Sequence, residues 1–316
     1  YVPNYFDLRR NEDGTYPVNP YFSDNPVAVT DNAVNNSEVN RFIQAFTLDI
    51  DLLKTENSFL TANIAGGLDF LQNRTLIYLP EFLQFQRAQA NPGDVLKGKQ
   101  ESFNTNFQAA LVYNWFLGKV NMNSQAGLVR LDFNNSALFN RGRGLVPGQT
   151  NLGQAAIQEI NQEFNSEVQE AGIFLQQEAN FEDKIIGTVG IRWDKSTLNG
   201  DPNQYYAFPR ASLAVNLANF DFWSSSVFNQ VKPRIAYGET AGPVGFGATF
   251  TPLGGTNIGG LLGSVVSTQI GNTQIRPETA TELEFGVDVG MFNNRLSLEA
   301  TYYIKNTQNN IQSLRL

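Results

Sequence analysis

The sequence predicts an all-β protein, an antiparallel transmembrane β-barrel with short turns at one rim and long loops at the other. Three observations lead there. Apolar and polar residues alternate with period two through about ten segments, as in strands with one apolar and one polar face. The connections between those segments run short, long, short, long, as in outer-membrane barrels with short periplasmic turns and long extracellular loops. The composition is polar, weakly charged and rich in aromatic residues: 41% hydrophobic, 16% charged, with 24 Phe and 11 Tyr in 316 residues. A soluble β-sandwich or solenoid shares the alternation, but hairpins in such folds follow no rule of loop length.

Residues 1–38 are rich in Asn, Pro and Asp, lack periodicity and are expected to form a long loop. Tyr1-Val2-Pro3-Asn4 carries neither an initiator Met nor a signal peptide, so the chain is expected to be a piece of something longer. Asn40–Leu53 alternates, with Phe42, Phe46, Leu48, Ile50 and Leu52 against Arg41, Thr47, Asp49 and Asp51. A short turn leads to Ser58–Phe70, which alternates again. After a long connection over 71–101 come Ser102–Trp115, a turn at Phe116–Lys119, and Val120–Phe133. The next connection runs to about Glu167 and contains Leu152–Phe164, whose composition and spacing predict a short helix. Val168–Phe181 and Lys184–Asp194 pair across Glu182-Asp183. Tyr205–Leu217 and Gln230–Glu239 follow, with Pro209 and Pro233 each removing a ladder donor. A Gly-rich stretch, Thr240–Thr279, leads to the clearest hairpin, Thr281–Ile304. There Leu283, Phe285, Val287, Val289 and Met291 oppose a charged face, and Asn293-Asn294 supplies residues that tolerate positive φ in the turn. Tyr113, Trp115, Phe116, Phe181, Phe220, Phe222, Trp223 and Phe292 lie beside the short turns, as an interfacial aromatic girdle would.

The remaining chemistry is mostly excluded. Formal net charge is −8, against a general nucleic-acid role, and there is neither Cys nor His. Cys nucleophiles, His triads, disulfides and most zinc sites are therefore absent, and no metal or cofactor is expected. No apolar run of about 18 residues exists, so no transmembrane helix is expected, but barrel strands need only about 9–11 alternating residues. Asp49/Asp51 and Glu282/Glu284/Asp288 put carboxylates on one face two residues apart. A general acid–base pair is one reading and a contact with a substrate or cation along a substrate path is another, with Glu282, Glu284 and Asp288 as candidates; a hydrated lumen wall is the plainer one. Arg192, Arg210 and Arg234 share that polar face and are candidates either for lumen salt bridges or for contacts along a substrate path. Tyr78, Phe82, Phe85, Phe139, Phe246 and Phe250 fall in expected outer loops, where they pack the loops or stack on a sugar or peptide. Gly142–Gly148 resembles a phosphate loop only in its glycines. Asn11–Gly14 and Asn199–Asp201 have the residue types of weak Ca²⁺ sites and, more simply, of turns.

One resemblance is specific. Arg276-Pro277-Glu278-Thr279-Ala280-Thr281-Glu282-Leu283-Glu284-Phe285-Gly286-Val287-Asp288, followed by Asn293-Asn294-Arg295-Leu296 and Thr301-Tyr302-Tyr303, resembles the late-barrel signature of SusC/RagA-type TonB-linked outer-membrane proteins of Bacteroidetes. Asn19–Phe22, Asn40-Arg41-Phe42, Gly190–Ser196, Phe208–Ser212 and Lys232–Thr240 agree with it in order and spacing. The resemblance implies that 1–316 is a partial TonB-dependent receptor β-barrel domain of the outer membrane, about ten strands of a plugged barrel of roughly 22. The TonB box, the N-terminal plug and the final strands are absent from this stretch.

The implied function is TonB-dependent import of a large nutrient, a glycan, oligosaccharide or peptide, and no enzymatic step. The implied partners are a SusD-like surface lipoprotein, TonB acting through the missing N-terminal part, and outer-membrane lipid. The alternative is a structural or interaction barrel: a scaffold, or a secretion or adhesion component.

Overall fold

The computed structural model describes residues 6–312 of the chain; the first five residues and the last four thus lie outside the description. Twelve strands and two short α-helices occur among the described residues. In chain order the strands are β1 (Val34–Lys54), β2 (Ser58–Leu79), β3 (Asp94–Leu117), β4 (Val120–Arg143), β5 (Ile157–Phe181), β6 (Ile185–Ser196), β7 (Tyr206–Val215), β8 (Phe228–Gly242), β9 (Leu253–Ile258), β10 (Leu261–Val266), β11 (Glu278–Met291) and β12 (Leu296–Gln308). Ten of them form one sheet in the order β1-β2-β3-β4-β5-β6-β7-β8-β11-β12, and β9 pairs only with β10. Apart from the step from β8 to β11, between which the β9–β10 hairpin is inserted, each strand of the large sheet lies beside its sequence neighbour, the arrangement of an up-and-down barrel wall. The edge strands β1 and β12 are exposed along their whole length.

Turn chemistry explains the short rim. Between β5 and β6, Glu182 and Asp183 both have positive φ (50° and 55°), the pair of left-handed residues that a two-residue hairpin needs to match strand twist. Asn180 supports them, accepting from the Asp183 amide at 2.9 Å. Between β11 and β12, Phe292, Asn293 and Asn294 all have positive φ (55°, 58° and 59°). The two Asn were expected there. Phe292 was not, because a bulky side chain gains nothing in that region and a non-Gly residue there costs on the order of 1 kcal/mol. Neighbouring turns are tied to one another. The Phe116 amide donates to Asn57 O, Glu182 to Lys119 O, Asn216 to Lys184 O and Phe292 to Val227 O, at 2.8–3.3 Å. Lys119 and Lys184 both pair with Glu182, at 2.5 and 2.9 Å, and together hold its carboxyl below the usual range.

The register confirms two distinct faces. On β11, Val287 lies opposite Pro233 of β8 and Ala300 of β12, whereas Glu284 lies opposite Ala236 and Tyr303. Both prolines sit within paired strands, Pro209 opposite Ile191 and Pro233 opposite Val287. The apolar band on one face covers Phe42–Leu52 of β1, Leu60–Phe70 of β2, Ile185–Trp193 of β6 and Leu283–Met291 of β11. Each stretch is close to the ~9–11 tilted residues that cross a bilayer. On that face of β4, Arg130 and Asp132 pair at 2.9 Å just above Leu128, where the apolar run stops.

Several expectations about the long connections are corrected. β1 begins at Val34, not Asn40; β2 runs on to Leu79, β3 starts at Asp94, β4 ends at Arg143 and β5 starts at Ile157. β3 spans 24 residues, roughly 80 Å at strand rise, against about 30 Å of hydrocarbon. The strands therefore continue beyond the lipid-crossing band, and there the alternation fades because neither face meets lipid. The helix expected over Leu152–Phe164 is absent. Only Leu152–Gln154 form a 3-10 turn, and the rest joins β5. An isolated helix shorter than about 12–15 residues is marginal in water, and strand pairing satisfies the same backbone groups. Residues 26–32 are helical instead (α1, Pro26–Asn32), within the stretch expected to be loop. The second helix, α2 (Gln84–Arg87), is a single turn.

The chain divides into two compact units. One contains the described residues up to Gln44, with Leu68–Asn104 and Phe133–Glu167. It has its own small core of Val95, Leu145 and Ala155, with Leu76, Tyr78 and Leu152 packed against it. Buried Asn25 caps α1, accepting from Val27 N and Ala28 N and donating to Leu8 O and Pro17 O at 2.8–3.1 Å. Gln84 holds both the amide and the carbonyl of Asn19. Arg141 reaches the nearly buried carboxylate of Asp94 through Nε and Nη2. The second unit contains Ala45–Gly67, Thr105–Asp132 and the chain from Val168 onward. It includes the short turns and all of β6–β12.

Two outcomes test this description. Val287→Arg, at the centre of the apolar band of β11, is expected to destabilise the folded protein in lipid vesicles by about 2–4 kcal/mol in urea titration. Tyr303→Arg, on the polar face opposite Glu284, is expected to cost much less. Arg141→Ala leaves Asp94 buried without its cation and is expected to cost about 1–3 kcal/mol locally. Faster proteolytic nicking at 80–93 and 144–156 would read it out.

Candidate functional site: the polar face of β5–β12

The polar face is organised in rows that cross the strands. One row is Asn180, Ile186, Ala214, Arg234, Gly286 and Thr301, fixed by the successive registers. Arg234 lies flat across Gly286: a Cβ there would stand 2.5 Å from the Arg234 Cζ. Spread over the glycine, the guanidinium meets Asp288 Oδ1 at 3.2 Å, Thr301 Oγ1 at 2.6 Å and Glu284 Oε2 at 3.9 Å. The next rows are Glu178, Thr188, Ser212, Ala236, Glu284 and Tyr303, and then Gln176, Gly190, Arg210, Gly238, Glu282 and Lys305. In the latter, Glu282 and Lys305 are direct cross-strand partners at 4.0 Å.

One further row joins Phe174, Arg192 and Phe208. Arg192 turns along its own strand to Asp194, at 2.7 Å. Asp194 in turn lies over Gly172, where a Cβ would meet its Oδ1. Around this row the polar face is partly apolar: Val129, Leu131, Phe174 and Phe208 line neighbouring hollows with Arg192 and Asp194. Phe208 is only 7% exposed. The sequence reading missed these apolar residues. The signal for Phe174 was its place in Ile173-Phe174-Leu175, where three apolar residues interrupt the alternation.

All six charged candidates therefore share one face of one unit. Arg234, Glu284 and Asp288 meet in a single cluster, Glu282 pairs with Lys305, and Arg192 pairs with Asp194. These pairs are partly exposed, so each contributes at most about 1 kcal/mol, and their effect is to hold side chains against the wall. Arg210 has neither an ion pair nor a side-chain hydrogen bond among the described residues.

The aromatic candidates divide. Phe82, Phe246 and Phe250 are in connections, exposed, and Phe246 meets Phe250 edge-on at 6.1 Å. Three others are corrected from loop to regular structure because the strands are longer than expected. Tyr78 is in β2 against the Val95 core, Phe85 is in α2, and Phe139 is in β4 with its ring over Gly98. Tyr78 and Phe139 thus pack structure, one of the two readings open in the sequence.

The other candidate motifs are structural. Asp49 and Asp51 accept from Asn63 and Thr61 of the adjacent strand. Asn11–Gly14 is a tight turn in which Asp13 binds Thr15, and Gly200 packs against the Thr273 backbone. Gly144 and Gly148 take positive φ in an ordinary connection. No cluster of three metal-ligating side chains occurs among the described residues.

A meander sheet with an apolar band of bilayer height on one face and rows of charge on the other is the wall of a transmembrane β-barrel. The chain belongs to the TonB dependent receptor-like, β-barrel family, whose pattern covers residues 1–316. It is 25% identical over 322 residues to TonB-dependent receptor P3 of Formosa agariphila, covering 94% of this chain and 30% of that protein. The chain therefore spans under a third of that relative's length. Its fold resembles the RagAB peptide transporter, with a TM-score of 0.78 at 17% identity, over 93% of this chain and 34% of that one. It likewise resembles the RagAB peptide importer in its closed-closed state, with a TM-score of 0.76 at 18% identity, over 90% of this chain and 31% of that one. The apolar band is thus the lipid face and the rows of charge face the barrel interior.

Replacing Gly286 with Leu is expected to lift Arg234 away from Asp288 and Thr301 and destabilise the wall by about 1–3 kcal/mol. A lower midpoint in urea, with Gly238→Leu as the unstrained control, checks it. Open space surrounds a Cβ built on Gly238.

Proposed function

We propose that this chain is wall, lumen lining and outer connections of an outer-membrane, TonB-dependent importer of a large polar nutrient. The observation that carries the reading is the rows of charge and hydrogen-bonding groups along the interior face of a sheet whose other face fits lipid. Such a lining suits passage of a hydrated solute and offers no arrangement for covalent chemistry. Two features support a larger whole. The edges at β1 and β12 carry unpaired backbone groups, which cannot face hydrocarbon and so call for further strands. The relatives of known length are about three times longer.

In the proposed scheme a plug outside this segment blocks the lumen. TonB displaces that plug using inner-membrane energy, and a SusD-like lipoprotein on the cell surface delivers the solute. The SusC/RagA resemblance and the fold shared with the RagAB transporter support this assignment. RagAB imports peptides; for this chain a peptide or an oligosaccharide is the proposed class of solute. The exposed connections bearing Phe82, Phe246 and Phe250, and the β9–β10 hairpin, offer the surface for a lid or for the solute itself.

Uptake by cells producing the whole protein is the test. The protein should fractionate with the outer membrane and run faster on unheated than on heated denaturing gels. Accumulation of a labelled peptide or glycan mixture should stop when TonB is deleted. Accumulation that persists without TonB, or a protein found in the soluble fraction, defeats the proposal. A passenger chain exported through the lumen would point to the scaffold or secretion reading.

A further inference from the structure

The outward face of β2 and β3 changes character where the apolar band ends. Phe70 and Phe103 meet edge-on there at 6.3 Å, and Phe103 is 40% exposed. One row further out, Gln72 bonds Glu101 at 2.8 Å, and on the opposite face Asn73 bonds Gln100 at 3.2 Å. The antiparallel register that these bonds fix puts Arg74 across from Lys99 in the following outward row. Lys97 lies two residues further along β3, on the same face. Leu76 and Tyr78 on β2 and Val95 on β3 then enter the small core. Three cations are thus gathered between an aromatic pair and a covered core.

Lys99 pairs with Glu101 at 2.9 Å. Arg74, which is exposed, and Lys97 have neither an ion pair nor a side-chain hydrogen bond among the described residues. The other carboxylate on this face, Glu38 of β1, accepts from Asn40 at 3.1 Å. Like charges opposite each other across a ladder are unfavourable, so Arg74 and Lys99 favour an anion beside them. Topology limits what that anion is. β2 and β3 are flanked by β1 and β4, so no further strand joins the sheet here, and a plug lies against the opposite face. Arg74 and Lys99 stand four residues beyond the aromatic pair, roughly 10 Å higher on strands tilted by about 40°. Side chains of this length bend back towards the interface, where the bilayer holds its headgroups.

We propose that Arg74, Lys97 and Lys99 dock the phosphate of an outer-leaflet glycolipid whose acyl chains lie against Phe70 and Phe103. The guanidinium fork takes two phosphate oxygens with parallel charge-assisted bonds, and the two ammonium groups add point charge beside it. One continuous strip of β2 and β3 thereby meets both the chains and the headgroup of a single lipid. A zwitterionic headgroup brings an ammonium that these cations repel, so a phosphate on a sugar without a free amine fits better. The inference rests on the lipid face already described and on no step of transport.

Titration of the purified whole protein in maltoside detergent with monophosphorylated lipid A, read by native mass spectrometry, tests it. The comparison lipid is the same glycolipid without its phosphate. Wild-type protein is expected to prefer the phosphorylated lipid by about tenfold, the worth of one charge-assisted contact. Arg74→Gln with Lys97→Gln should erase that preference. Glu101→Gln removes the neighbouring carboxylate, releases Lys99 and should strengthen the preference, which reads the site in a protein that keeps all three cations. Inorganic phosphate at millimolar concentration should leave the lipid bound. Equal affinity for the two lipids, or a double variant that keeps the preference, overturns the site. Displacement by inorganic phosphate would make it a site for the free anion and overturn the lipid assignment. Loss of a co-purified protein partner from the double variant, with the lipid preference intact, would give the cations to that partner and overturn it too.

Discussion

A backbone in hydrocarbon has no water to bond, so every amide and carbonyl must find its partner within the protein. The architecture of this chain follows from that constraint. Pairing strands with their sequence neighbours, with one step from β8 to β11 across the β9–β10 hairpin, satisfies the ladder at low loop cost, and a ten-strand meander results. The same demand shapes the short rim. Glu182-Asp183 and Phe292–Asn294 accept left-handed backbone so that ladders continue to the last pair, and amides of one turn reach carbonyls of the next. Among the described residues the large sheet ends open at β1 and β12.

Once the ladders are set, side chains have only two faces to occupy, and the polar one is crowded. Charged groups on adjacent strands stand about 5 Å apart in the same row, too close for several long side chains to spread. Glycine resolves the conflict. Gly286 lets Arg234 lie flat and collect Asp288, Thr301 and Glu284, and Gly172 does the same for Asp194. Where a glycine has no side chain lying over it, as at Gly238, the same device leaves a hollow instead of a salt bridge.

Away from the lipid band the rules change. Strands that run on to Leu79 and Arg143, or begin as early as Asp94 and Ile157, still pair through their backbones but no longer need a wholly apolar face. There the connections bury a small core of their own around Val95, and side-chain amides such as Asn25 and Gln84 replace secondary structure in holding irregular chain. Such a unit rests on a few directional bonds, so losing one buried partner costs more than its size suggests.

How much of this was legible in residue order follows from where the environment is uniform. Within the lipid band, the period-two alternation of Leu283–Met291 and the turn residues Asn293-Asn294 specify strand, face and turn. Lipid and lumen impose opposite polarity on every second residue, and that pattern survives in one dimension. Beyond the band the pattern weakens, so the outer ends of β2–β5 were read as loop, Leu152–Phe164 as helix, and Tyr78 and Phe139 as loop aromatics. Backbone pairing with a neighbouring strand decided these positions, and no side-chain period announces it. The charged residues of the interior were visible as a set: Arg192, Arg210, Arg234, Glu282, Glu284 and Asp288 all lie on the polar face. Which of them pair depends on the cross-strand register, which brings Gly286 beside Arg234 and Gly190 and Gly238 beside Arg210. Residues tens of positions apart become neighbours only when strands are hydrogen-bonded, so the cluster around Arg234 exists in the sheet and nowhere in the string of letters.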